Sequence, residues 1–186
     1  MTRILGALLL TLVISPLIAA QNNSRTSPNN NRDTWITFNS APGRFSVRMP
    51  ETPSSKSETV ESDRGPYTIH TFTASTLKSV FYIAWGEYDP SYNFFYVQPE
   101  LILNRDNFVK GISGTLLTSK TLTIDGYQSL EFTAETVKRD YKCRVYMVGR
   151  RPYLIVVSTS KDQDDSVNVN RFFESFKVKL PGPVQN

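Results

Sequence analysis

Two residues bound the chemistry of this 186-residue chain: its single histidine, His70, and its single cysteine, Cys143. His70 lies in Tyr67-Thr68-Ile69-His70-Thr71-Phe72, a strand-like run with no Gly-x-Ser-x-Gly turn beside it, so a Ser-His-Asp hydrolase would lack its nucleophile elbow. One imidazole and one thiol also fall short of a zinc ligand set. Cys143 is flanked by Lys142 and Arg144, but strand alternation sends those cations to the face opposite the sulfur, where they lower its pKa poorly. A buried structural cysteine is expected. Asp162, Asp164 and Asp165 lack the glycine and distal glutamate of an EF-hand loop and read as charges at a helix start. Glu131 and Glu135 share a strand face, but four residues of extended chain separate them by about 13 Å, beyond the reach of a glycosidase pair. Pairing with Lys142 or Arg144 explains them better. Gly111-Ile112-Ser113-Gly114 reads as a helix exit and not as a phosphate loop. The expectation is therefore no catalytic residue, no metal site and no cofactor.

Two segments remain as binding candidates. Between Asp89-Pro90 and Pro99 stand Tyr92, Phe94, Phe95 and Tyr96, four aromatics in a loop that leads into a helical pattern. Exposed, they would form a docking patch; folded back, they would staple the helix entry against the sheet. Arg150 and Arg151, at a turn, could dock an acidic partner, although a solvated turn is the simpler expectation.

The elements that position these residues follow from period and punctuation. Residues 1–20 read as a signal peptide: Arg3, an apolar run from Leu5 to Ile18, and Ala19-Ala20 before the cleavage point. The run is too short for a lasting membrane span, no cysteine stands there to take a lipid, and the product is expected to be exported, periplasmic or extracellular. Residues 21–33 are polar and read as a disordered leader. Residues 34–180 suit one α+β domain with a sizeable core, and 181–186 form a tail. A lone cysteine permits no intrachain disulfide. The net charge of +4, with both signs interspersed, gives no sign of nucleic-acid binding.

Within that domain, Trp35–Phe38 and the alternating Phe45, Val47 and Met49 predict a hairpin, which Pro50 and Pro53 end. Lys56–Ser62 is polar, an edge strand or loop. Tyr67–Ala74 and Val80–Tyr88 read as strands; Pro99–Ile112 reads as a helix with Leu101, Ile102, Phe108, Val109 and Ile112 on its apolar stripe. Leu117–Ile124, the Asp125-Gly126 turn and a return strand with Leu130, Phe132 and Ala134 inside follow. A two-residue loop within Lys138-Arg139-Asp140 would set Leu130 opposite Met147 and Glu135 opposite Lys142, and a register displaced by two residues would keep the same faces. Tyr153–Ser158 reads as a central strand, and Val169, Phe172, Phe173 and Phe176 give a second helix an aromatic inner face.

Trp35 with Phe38, Gly43-Arg44-Phe45-Ser46-Val47-Arg48-Met49-Pro50, Asp125-Gly126-Tyr127, Arg151-Pro152-Tyr153-Leu154 and Phe173-Glu174-Ser175-Phe176 together resemble exported bacterial proteins of the PsbP-like superfamily. The resemblance covers about Trp35 to Leu180. It implies a central antiparallel β-sheet with helices on its two faces, an α/β/α sandwich. Known relatives include an extrinsic subunit of the photosystem II oxygen-evolving complex and a nuclear-import factor that binds the GTPase Ran, and both act by docking. No functional residue of theirs matches a position here, and fold kinship is a weak warrant for function. The expected function is a non-catalytic binding or assembly module whose partner is another envelope or extracellular protein. The alternatives are a small-ligand carrier, or a hydrolase whose site the linear sequence conceals.

Overall fold

The computed structural model describes residues 35–61, 66–91 and 96–179. The expected signal peptide, leader and tail lie outside the described residues. Among the described residues ten strands and two helices run in the order β1 (Ile36–Ser40), β2 (Phe45–Met49), β3 (Ser54–Val60), β4 (Tyr67–Ser75), β5 (Ser79–Trp85), α1 (Val97–Gly111), β6 (Thr115–Ile124), β7 (Tyr127–Glu135), β8 (Arg139–Val148), β9 (Arg151–Ser160), α2 (Ser166–Ser175) and β10 (Lys177–Val178).

Seven strands form one antiparallel sheet in the order β3-β4-β5-β9-β8-β7-β6. The apolar run of β9 places it at the centre, where both of its faces are covered: every residue from Arg151 to Ser158 is buried. Polar β3 lies at one edge, as its sequence predicts, and β6 lies at the other. The first hairpin does not join this sheet. It forms a second, three-stranded sheet, β1-β2-β10, because the chain after α2 returns to pair with β2 through Lys177 and Val178.

Turn chemistry fixes the registers. Asp125 and Gly126 both have positive φ, 52° and 83°, as a two-residue hairpin turn requires of its central residues. Between β7 and β8 the loop is Val137-Lys138, closed by Thr136 N–H donating to the Arg139 carbonyl at 2.8 Å. This is the displaced register: Leu130 faces Val145, Phe132 faces Cys143 and Ala134 faces Tyr141. The inner face is as expected, but Glu135 meets Asp140 and not Lys142. Lys161 relieves that clash, lying 2.5 Å from Glu135 and 3.7 Å from Asp140.

Alternation along β8 and β9 feeds two separate cores. Cys143, Val145, Leu154 and Val156 pack with Leu101 and Phe108 of α1. Tyr146, Tyr153, Ile155 and Val157 pack with Phe172 and Phe173 of α2, with Phe176, and with Phe45, Val47 and Met49 of β2. The second core is aromatic at its centre, with Phe45 stacked on Phe176 at 5.5 Å and Phe81 edge-on to Phe172 at 5.2 Å. Gly43 lets the β1–β2 turn approach this core. A Cβ there would stand 2.7 Å from the Phe45 ring and 2.8 Å from Trp85 Nε1.

Candidate functional site

The helix that the aromatic loop enters is clamped to the sheet by polar contacts. Gln98 Nε2 donates to Thr121 Oγ1 at 3.0 Å, and Arg105 Nη1 donates to Ser119 Oγ at 2.8 Å while its Nε reaches Asp106. Both acceptors belong to edge strand β6, so α1 is held along its length with its other side toward solvent. An open groove of about 510 Å³ lies along the first turns of the helix. Tyr96, Pro99, Ile102 and Leu103 give it apolar walls; Gln98, Glu100 and Asp106 complete the lining, with Asp106 paired to Arg105 at 2.8 Å.

Tyr92, Phe94 and Phe95 lie outside the described residues. Tyr96 is described. It is the extended residue immediately before α1, and its side chain is 81% exposed. Ile102, expected on the buried stripe, is instead only half-buried and lines the groove.

The buried stripe holds two polar residues that the sequence reading did not assign. Glu100 and Asn104 are buried with Leu101 and Phe108, and Tyr88 O–H donates to Glu100 Oε2 at 3.4 Å. Asn104 Nδ2 donates to the Glu100 carbonyl at 2.8 Å. Tyr67 packs 6.5 Å from Tyr88, and burial pushes its phenol up to about 12, which keeps it protonated and uncharged at neutral pH. The signal for this pair was spacing: Val97, Glu100, Leu101, Asn104 and Phe108 repeat at i, i+3, i+4, i+7 and i+11, and residue polarity concealed it.

The other sequence candidates are dispersed. His70 Nδ1 is hydrogen-bonded to Ser57 Oγ at 2.7 Å, and its ring stacks on Trp85 at 4.3 Å, a pair formed between neighbouring strands β4 and β5. Burial lowers the His70 pKa. A hydroxyl beside an imidazole is half of a catalytic unit, but Ser57 sits on exposed β3 rather than on a strand-to-helix turn. Cys143 is buried in the α1 core, where desolvation pushes its thiol well up. Lys142 and Arg144 point the other way, lying 5.3 Å and 5.0 Å from the Phe173 ring. Glu131 accepts from Arg144 at 2.5 Å, the ion pair that strand pairing suggested. Asp164 Oδ1 accepts from the backbone N–H of Ser166 at 2.9 Å, and Asp165 Oδ1 accepts from Asn168 Nδ2 at 2.7 Å. Among the described residues no three His, Cys, Asp or Glu side chains gather as metal ligands.

Arg151 departs from the solvated turn expected of it. The turn is Gly149 and Arg150; Arg151 opens β9 and is 9% exposed. Its guanidinium lies 5.1 Å from the Trp85 ring, donates to the Pro42 carbonyl at 2.8 Å and pairs with Glu87 at 2.6 Å. These contacts tie the β1–β2 turn to the end of the large sheet.

No protein-family model matches the chain, and no curated protein matches it either. A solution structure of cyanobacterial PsbP (CyanoP) from Synechocystis sp. PCC 6803 superimposes with a TM-score of 0.51 at 12% identity, over 83% of this chain and 98% of that one. A crystal structure from Bacteroides thetaiotaomicron VPI-5482 superimposes more loosely, with a TM-score of 0.39 at 13% identity, over 78% of this chain and 49% of that one. Likeness at such identities concerns architecture alone. With its mostly antiparallel strands and two helices, this chain has a PsbP-like fold.

Proposed function

We propose that this protein is an exported, non-catalytic binding module that docks a polypeptide partner against the outer side of α1. Its architecture on this reading is an α/β/α sandwich, with α1 and α2 on opposite faces of the large sheet, and its compartment is periplasmic or extracellular. The observation that carries the proposal is the exposure of Tyr96 beside the groove walled by Pro99, Ile102 and Leu103. A large aromatic next to an apolar depression is the usual anatomy of a docking anchor. The walls are apolar and Asp106 is already paired with Arg105, which favours a partner segment that presents an apolar side chain. A carrier of small apolar ligands needs an enclosed cavity, and this groove is open.

The test is capture from the native envelope with Tyr96→Ser and Leu103→Ser. Both are expected to weaken capture by about tenfold or more with unchanged thermal unfolding. Leu77→Ser and Val137→Ser, on exposed turns at the other end of the sheet, serve as controls and should capture normally. Loss in the controls but not at Tyr96 would move the interface away from α1.

A further inference from the structure

The end of the large sheet nearest the β1–β2 turn carries an excess of hydrogen-bond donors. Among the described residues, the buried side-chain nitrogen and oxygen atoms without a hydrogen-bond partner are Trp85 Nε1, Arg150 Nε and Arg151 Nε. All three are donors, and all belong to one small region. Trp85 ends β5 and faces Tyr153 across the ladder; Arg151 lies against its ring; the Tyr88 N–H donates to the Arg150 carbonyl at 3.0 Å. Buried polar groups are ordinarily paired, so three orphan donors and no orphan acceptor in one place call for an acceptor.

Charge in the same region is also unbalanced. The hydrogen bond from Arg151, and after it the charges of Arg151, Arg44 and Arg150, hold the Glu87 carboxyl below the usual range. Asp89 also feels Arg150, but its Oδ1 is turned to the Ser91 N–H at 2.9 Å. Three guanidinium groups thus face two carboxylates, one of them occupied locally. Arg44 is exposed at the tip of the turn, with a positive φ of 51°, and the Glu87 side chain is 43% exposed, so the cluster opens to solvent on the side where these two stand.

We propose that this arginine cluster is a binding site for an oxyanion, a carboxylate or phosphate group, held between Arg44, Arg150 and Arg151 with Trp85 beneath them. Glu87 occupies Arg151 in the free protein and competes with the incoming anion. Planar guanidinium groups suit this ligand because they offer paired N–H donors to paired oxygens. The source of the anion is either free phosphate or the side chains of an acidic peptide. The site shares no residue with the lining of the α1 groove, and Tyr96 touches none of its arginines, so Tyr96→Ser tests the first proposal and the arginine variants test this one.

The chain has two tryptophans, so the indole N–H region of a proton–nitrogen correlation spectrum reads the site directly, with Trp35 as internal control. Titration with inorganic phosphate, and separately with a blocked tetraglutamate peptide, is expected to shift the Trp85 indole resonance saturably. Response to phosphate alone assigns the free ion, response to the peptide assigns an acidic chain, and either supports the site. Arg44→Ala and Arg150→Ala should each weaken binding about tenfold while the remaining resonances hold, and Glu87→Gln should tighten it by a similar factor. A shift that sodium chloride reproduces at equal ionic strength, or one unchanged in both arginine variants, overturns the proposal.

Discussion

His70 shows how one side chain can set a pH dependence without doing chemistry. Its ring is stacked on Trp85 and bonded to Ser57, and burial disfavours the imidazolium, so the folded-state pKa lies below the ordinary 6.5. The unfolded chain therefore takes up a proton at higher pH than the folded one. Stability is complete above about pH 6.5 and declines as pH falls through the folded-state value. Urea midpoints measured between pH 7.5 and about pH 5 should fall in the native protein and stay nearly flat in His70→Gln, which retains an acceptor for Ser57. Glu87, whose carboxyl is also held low, titrates below this window. An equal slope in the variant would place the dependence elsewhere.

Among the elements, β8 is the one that joins hairpin to helix. Arg144 donates to Glu131 on β7, to Tyr146 O–H at 3.1 Å and to the Phe173 carbonyl of α2 at 3.4 Å, and lies against the Phe173 ring. A single guanidinium thus binds two strands and a helix. Truncation leaves Glu131 without this cation and removes the aromatic contact. Arg144→Ala is expected to cost about 2 kcal/mol in denaturant unfolding, and Arg144→Lys to recover less than half of it, because an ammonium cannot hold the same fork. Full recovery by lysine would reduce the role of Arg144 to simple charge. The β7–β8 loop is fixed just as locally: Thr136 accepts from the Arg139 N–H through its hydroxyl at 3.2 Å, which centres the turn one residue earlier than Lys138-Arg139.

At the scale of the molecule, the two cores share their central strands. Leu154 and Val156 belong to one core and Ile155 and Val157 to the other, so neither can loosen without disturbing β9. Phe108 and Phe172 are each fully buried, one in each core. Phe108→Ala and Phe172→Ala should each cost about 3–5 kcal/mol, and both should lower one common transition followed by far-ultraviolet and tryptophan signals alike. Two separated transitions, each answering to one substitution, would show two folding units in place of the single domain expected for residues 34–180.

What the sequence determined by itself is whatever depends on neighbours along the chain. Alternation at Phe45, Val47 and Met49 and at Leu130, Phe132 and Ala134 named buried faces correctly, because a strand's period is fixed by its own backbone. The Asp125-Gly126 turn and the aromatic face of α2 were legible for the same reason, as was the burial of Cys143 away from Lys142 and Arg144. Tertiary structure alone decided the rest. The first hairpin left the large sheet because β10, more than 120 residues later, supplied its third strand. Glu100 and Asn104 entered the core because their own polar contacts, Asn104 to the Glu100 carbonyl and Tyr88 to Glu100, offset the cost of burying them. Arg151 left solvent because Trp85, Glu87 and Pro42, far from it in the chain, converge there. Period is a local property, whereas the satisfaction of a buried polar group depends on partners that only the folded chain brings within reach.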